Sequence, residues 1–346
     1  MTAESLHSVG DLVGAGLVSP DERDTLNRVA SRYAVALTPT VRGLIDPSDP
    51  ADPIALQYVP TAAELIETTD ERADPIGDHA HSPVEGIVHR YPDRVLLKVV
   101  HVCPVYCRFC FRREMVGPQG DGSLTPGQLE NAIRYIASHA EIWEVILTGG
   151  DPLILSPRRL RDIMTALAAI PHVSIVRIHS RVPAVDPQRI SPELIDALKA
   201  SGKTVFVALH ANHPREMSQP VRDACTRLVD AGIAMVSQSV LLKGINDDPE
   251  VLAELMRTFV EARVKPYYLH HPDMAPGTGH FRLSLAEGQA IMKALRSKVS
   301  GLCIPTYILD LPGGHGKVSV GDGMLSEIEP GRYAVLDRHN ALHHYP

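Results

Sequence analysis

Three cysteines fall close together, Cys103, Cys107 and Cys110 in HVCPVYCRFCFRR, directly after an apolar run, Val95 to Val102, that reads as a strand. This spacing places three thiolates on one short loop, enough to hold three irons of a cubane cluster while the fourth iron has no protein ligand. An open iron is a place where chemistry can start. Structural zinc sites usually close on four protein ligands, often as two separated pairs. Cys225 and Cys303 stand alone in apolar segments and make no second pair. A second reactive group is Lys317 in PGGHGK. A lysine flanked by small residues on a flexible loop can approach an aldehyde and form a Schiff base, the chemistry that pyridoxal phosphate exploits. No Walker pattern fits, because Val318 follows the lysine where Ser or Thr is required. By itself the segment reads as a surface turn.

These residues need a scaffold that brings them together. From Arg94 onward, short apolar runs alternate with helix-period segments, the pattern of a parallel sheet with covering helices. Strands are expected at Val95–Val102, Glu144–Leu147, Ser174–Ile178, Thr204–Leu209, Ala234–Val240, Lys265–Leu269 and Cys303–Leu309. Helices are expected near 125–138, 157–169, 191–200, 218–231, 249–262 and 284–299. The strand pattern alone fits either a partial barrel or an open doubly wound sheet. Residues 1–90 read as short helices joined by proline-rich connections, with a helix start at Thr61-Ala62-Ala63-Glu64 and an exposed polar loop from Thr68 to Pro83. Residues 318–346 read as a tail whose ending, HNALHHYP, is solvated.

Active sites of parallel α/β folds gather at the carboxyl ends of the strands. The informative residues fall there: Cys103 after the first strand, Gly149-Gly150-Asp151 after the second, His179 to Arg181 after the third, His210 after the fourth and His270 to Asp273 after the sixth. The glycines of LTGGDPL allow bare backbone to approach a ligand or to take positive φ. Gln238, polar within an apolar strand, needs a partner, either a ligand or a buried structural hydrogen bond.

From about Leu56 to Lys317 the chain resembles the lysine 2,3-aminomutases among the radical S-adenosylmethionine enzymes. The likeness is carried by SPVEGIVHRYPDRVLL, the CxxxCxxC loop, LTGGDPL and PTYILDLPGGHGK. It implies a partial (α/β)6 radical SAM barrel over 91–317, with an N-terminal helical extension over 1–90. It also implies three cofactors: a [4Fe-4S] cluster on the three cysteines, S-adenosylmethionine chelated by the open iron, and pyridoxal 5'-phosphate on Lys317. Gly149, Gly150 and Asp151 match the motif that lines up the methionine part of S-adenosylmethionine, and Gln238 matches a position near that cofactor. Arg94 matches the phosphate-binding arginine, with Arg90 the weaker candidate. Arg112 matches the clamp on the substrate carboxylate, while Arg113 beside it reads as solvated. Asp273 and Asp310 match the pair that recognises the distal ammonium of L-lysine. The implied reaction moves the amino nitrogen of lysine from the second carbon to the third through a 5'-deoxyadenosyl radical, giving β-lysine. An external electron donor such as flavodoxin or ferredoxin is implied.

The chain departs from the pattern in places. Asp248 stands where longer members carry a zinc cysteine, so zinc is not expected and the usual homo-oligomer is in doubt. His270 stands in place of tyrosine, Phe109 replaces a polar residue between cluster ligands, and His315 replaces a glycine at some loss of flexibility. The alternatives are an aminomutase for another amino acid, or one supplying β-lysine for modification of translation elongation factor P. At 346 residues, 44% of them apolar, the chain can bury a large core, and its net charge of −7 without a basic tract gives no sign of a nucleic-acid partner. It shows neither a signal-like start nor a membrane-length apolar run, and few cysteines lie outside the triplet. A cytoplasmic location follows as an expectation.

Overall fold

The structure, a computed structural model, describes residues 4–116, 122–321, 325–329, 332–336 and 341–345. Nine strands form one sheet in sequence order: β1 Ile87–Tyr91, β2 Arg94–Val100, β3 Glu144–Gly149, β4 Ile175–Ser180, β5 Thr204–His210, β6 Ala234–Val240, β7 Lys265–His270, β8 Thr306–Leu311 and β9 Gly316–Ser319. β2 to β8 run parallel, and β1 and β9 are antiparallel edges. A helix follows each parallel strand up to β7. This is the α/β architecture expected, an unclosed barrel.

The helices begin where local chemistry dictates. Thr125-Pro126, Ser156-Pro157, Ser191-Pro192 and Asp248-Pro249 each place a capping side chain before a proline at the first helical position, where the missing N–H is not needed. The caps open helices Pro126–Ala137, Pro157–Ala168, Pro192–Lys199 and Pro249–Glu261. Asp248 accepts from the Glu250 backbone N–H at 2.7 Å. Inside these helices one apolar face lies against the sheet, as Leu160, Ile163, Met164 and Leu167 show by being fully buried.

The open side of the barrel lies between β1 and β9, which share no ladder. Side chains bridge that gap instead. Tyr91 Oη accepts from the Lys317 backbone N–H at 2.8 Å, and Arg90 Nη1 donates to Asp310 Oδ1 at 3.2 Å.

Several expectations need correction. A strand, β1, crosses the end of the supposed helical extension, and β9 crosses the start of the tail. The loop from Thr68 to Pro83 is not solvated throughout, because Pro75 to Asp78 are buried. It is tied down by Arg72 N–H to Met274 O at 2.8 Å and His81 Nε2 to Gly314 O at 3.1 Å. The tail holds a meander of β10 Leu325–Glu329, β11 Arg332–Leu336 and β12 Leu342–Tyr345. His343 and His344 within it are solvent-facing, and His339, Asn340 and Pro346 of HNALHHYP lie outside the described residues. The start at Thr61 does form a capping box with Glu64, but the helix stops after one 3-10 turn, Ala62–Leu65. Among the described residues no helix is long and apolar enough to cross a membrane.

Candidate active site

Every residue given a cluster, cofactor or substrate role from the sequence lines one cavity of about 250 Å³ at the carboxyl ends of the strands. On one side lie Cys103, Cys107 and Cys110, all free thiols and half-buried. Burial, and after it Asp151, pushes the Cys103 thiol well above its ordinary value, and burial pushes Cys107 up to about 11. Among the described residues no three His, Cys, Asp or Glu side chains are grouped around a single metal position. A cubane takes one thiolate on each of three separate corners, so its ligands do not converge on one point. The loop itself is held from below. Arg108 and Arg113 are among the largest fully buried side chains, and both grip Glu64. Arg113 also donates to Pro276 O at 3.1 Å, so the solvated role expected for it is wrong.

Gly149 takes the positive φ, 118°, that its type allows, and both glycines also have a packing role. A Cβ on Gly149 would lie 2.2 Å from Val100 O, and one on Gly150 would lie 2.2 Å from Val102 O. The chain entering the cysteine loop fills the space, and Gly150 N–H donates to Val100 O at 2.5 Å. Only glycine lets β3 lie so near the cluster loop. Asp151 lines the cavity, but its carboxylate is taken by the β4 loop. It accepts from Ser180 Oγ at 2.7 Å, Arg181 N–H at 2.7 Å, Val182 N–H at 3.1 Å and Leu153 N–H at 3.1 Å. Gln238 Oε1 and His210 Nε2 lie 2.9 Å apart, which gives the buried amide the structural partner it needs.

The charged residues of the cavity alternate in sign. Lys317 stands on β9 directly across from Asp310 on β8, and its Nζ pairs with Asp310 Oδ2. It is therefore positioned by hairpin register, not carried on a flexible loop. The intervening turn takes positive φ at Gly313, Gly314 and Gly316 but not at His315, so the histidine there fits an ordinary backbone conformation. Arg90 is buried between Asp310 and Asp78, whereas Arg94 is partly exposed, stacked 3.8 Å over Tyr91 and paired with Asp93. Arg112 donates to Asp78 through Nε and Nη2 and lies 3.4 Å from Thr148 Oγ1 through Nη1. Asp273 is partly buried in the cavity wall. Burial, then the nearby Asp310, pushes its carboxyl up to about 7. His179 and His270 also line the cavity, held well below the ordinary histidine value by burial, with Nε2 of each lacking a partner.

The radical SAM superfamily model matches residues 97–256. L-lysine 2,3-aminomutase of Clostridium subterminale is 43% identical over 303 residues, which span 88% of this chain and 72% of the relative. The chain belongs to the lysine 2,3-aminomutase family. As a member of that family it is an isomerase working with a [4Fe-4S] cluster, S-adenosylmethionine and pyridoxal phosphate. L-lysine 2,3-aminomutase of Escherichia coli is 34% identical over 86% of each chain. Glutamate 2,3-aminomutase of Clostridioides difficile is 40% identical over 86% of this chain and 69% of its own length. Overall identity therefore does not select the amino acid that a family member accepts.

The cavity suits the family's cofactors. Three thiols and a lysine amine line the same cavity, Arg94 is paired only with the exposed Asp93, and two buried ring nitrogens lack partners. Sequence reasoning missed Asp78, which looks like any other acid in a polar loop and gave no signal. Arg181 offered a weak one, a basic residue at the carboxyl end of β4. It is buried against Tyr58 and Glu216, with Phe109 5.1 Å beneath its guanidinium.

Proposed function

We propose that this aminomutase acts on L-lysine and converts it to β-lysine. The observation that carries the reading is the acid pair Asp273 and Asp310 beside Lys317 in an enclosed pocket. When bound, the cluster with S-adenosylmethionine supplies a one-electron initiator and pyridoxal phosphate supplies the aldehyde that carries the migrating nitrogen. Cys103, Cys107 and Cys110 hold the cluster. Lys317 Nζ holds the aldehyde, with Asp310 Oδ2 the adjacent acceptor for the proton that the amine must shed. Arg94 is the group available to a phosphate dianion, since Arg90 is locked between two aspartates. Arg112 presents its remaining N–H groups to the substrate carboxylate.

With the amine of Lys317 held by the cofactor, Asp310 would keep only Arg90 as a paired cation and would press harder on Asp273. A substrate ammonium at the far end of the side chain restores the balance, whereas glutamate would bring a third carboxylate into the same space. The reading includes an outside electron donor of the flavodoxin or ferredoxin type, and the exposed Val102 beside Cys103 marks a route of approach. The test is an oxygen-free assay of the reconstituted enzyme with L-lysine and L-glutamate, scored by mass spectrometry. Formation of β-lysine and no β-glutamate is expected. The reverse result overturns the reading.

A further inference from the structure

We propose that Asp78 is a positioning residue for substrate carboxylate recognition, fixing which edge of Arg112 faces the substrate and tying Arg112 to the acid pair at the other end of the cavity. The inference rests on the functional reading above, in which Arg112 binds the carboxylate.

Asp78 enters the site from outside the barrel, on the strap from Thr68 to Pro83. Besides the ties of Arg72 and His81 described above, further contacts fix the strap. Glu71 accepts from Gly277 N–H at 2.9 Å, Asp74 accepts from the backbone N–H groups of Asp78 at 2.8 Å and His79 at 2.9 Å, and Gly77 lies against the β8–β9 turn. A Cβ on Gly77 would fall 2.3 Å from Gly314 N. The carboxylate of Asp78 is thus placed by backbone contacts before any ligand arrives.

Each of its oxygens serves one arginine. Oδ1 accepts from Arg90 Nη2 at 2.9 Å, and Oδ2 accepts from Arg112 Nη2 at 2.9 Å and Nε at 3.2 Å. Arg90 continues to Asp310, which continues to Lys317. Five groups therefore alternate in sign: Arg112, Asp78, Arg90, Asp310, Lys317. The side chains of Asp78 and Arg90 are 3% and 7% exposed, so little water screens the chain. Burial alone would raise the Asp78 carboxyl, yet Arg112, and behind it Arg90 and Lys98, outweigh burial and leave it below the ordinary carboxylate value.

Arg112 has two edges that can grip a carboxylate side-on or end-on. Asp78 takes the Nε–Nη2 edge, which leaves a carboxylate arriving in the cavity to meet the Nη1–Nη2 end. A buried cation with no companion would be free to swing, and Asp78 removes that freedom.

The experiment titrates the holoenzyme, loaded with cluster and pyridoxal phosphate but without S-adenosylmethionine, with L-lysine and with 1,5-diaminopentane, which lacks the carboxylate. Binding is read from the absorbance of the pyridoxal chromophore. Wild-type enzyme should favour lysine, and R112K should lose most of that preference. Asp78→Asn should weaken lysine about tenfold while leaving the diamine within about twofold, the size of one charged hydrogen-bond contact. Equal weakening of both compounds, or no change in either, overturns the proposal while the functional reading stands. If D78N does not fold, the same comparison on D78E decides: a smaller loss confined to lysine supports the proposal, and an equal loss overturns it. Wild-type enzyme that binds neither compound overturns the functional reading and the proposal together.

Discussion

Asp273 makes the sharpest quantitative test, because one carboxyl links stability to recognition. Its carboxyl is pushed from 3.8 to about 7 by burial and by Asp310, so the folded protein holds a proton there over a range in which the unfolded chain has released it. A raised acid makes the native state bind more protons than the unfolded state, so stability falls as pH rises from about 4 to about 7 and then levels off. At pH 8 the ionised group withholds on the order of 4 kcal/mol. Asp273→Asn removes that penalty with little change of shape. The variant should match the wild type in melting temperature near pH 4.5 and exceed it by about 5 °C at pH 8, given the unfolding entropy of a chain this long. Recognition should move the other way. Lysine needs the ionised acid, so wild-type affinity should drop about tenfold between pH 8 and pH 6, and the asparagine variant should show a weak, flat profile over that range. Calorimetric melting and the pyridoxal absorbance titration measure the two halves. A melting difference that stays constant from pH 5 to pH 8 would refute the account of Asp273 as a strained acid awaiting a cation.

Three further outcomes follow from the same geometry. Lys317→Ala should abolish the borohydride-trappable link to pyridoxal phosphate, seen as loss of the added mass on the intact protein, while iron content stays unchanged. Gly150→Ala would set a methyl group 2.2 Å from the backbone oxygen of Val102. It should lower stability by about 3 kcal/mol and speed the loss of iron from the reconstituted cluster, read by urea melting and by visible absorbance. Glu64→Gln leaves Arg108 and Arg113 buried without a full counter-charge and should cost about 3 kcal/mol, measured as a lower urea midpoint at unchanged slope.

The fold was readable where local chemistry sets it. Helix-period segments placed the covering helices, four of which start on Ser, Thr or Asp before Pro, and the apolar runs placed the parallel strands, β6 with both of its ends. The residues gathered around the cavity were readable because parallel strands deliver their carboxyl ends to one face. What those residues touch was much less readable. Asp151 is held by a loop thirty residues on, and Gly150 meets the backbone of Val102, contacts that spacing does not encode. Glu64 shows the limit well. It fits a capping box and makes one, accepting from Thr61 N–H at 3.0 Å, yet its carboxylate also anchors two arginines of the cluster loop.

Asp78, the residue that gave no signal, belongs to the gap between β1 and β9. A closed barrel satisfies its own edges, but here two edges face each other without a ladder, and the polar interior behind them needs partners from elsewhere in the chain. The proline-rich N-terminal part supplies one there, Asp78 for Arg90 and Arg112, and elsewhere it gives Glu64 to Arg108 and Arg113 and Tyr58 to Arg181. That region reads as an appendage because its acids lie among turn residues, yet it neutralises cations of the barrel. Lys317 lies at the seam itself, its backbone bonded to Tyr91 of β1 and its amine to Asp310 of β8. The reactive lysine therefore sits where the sheet fails to close.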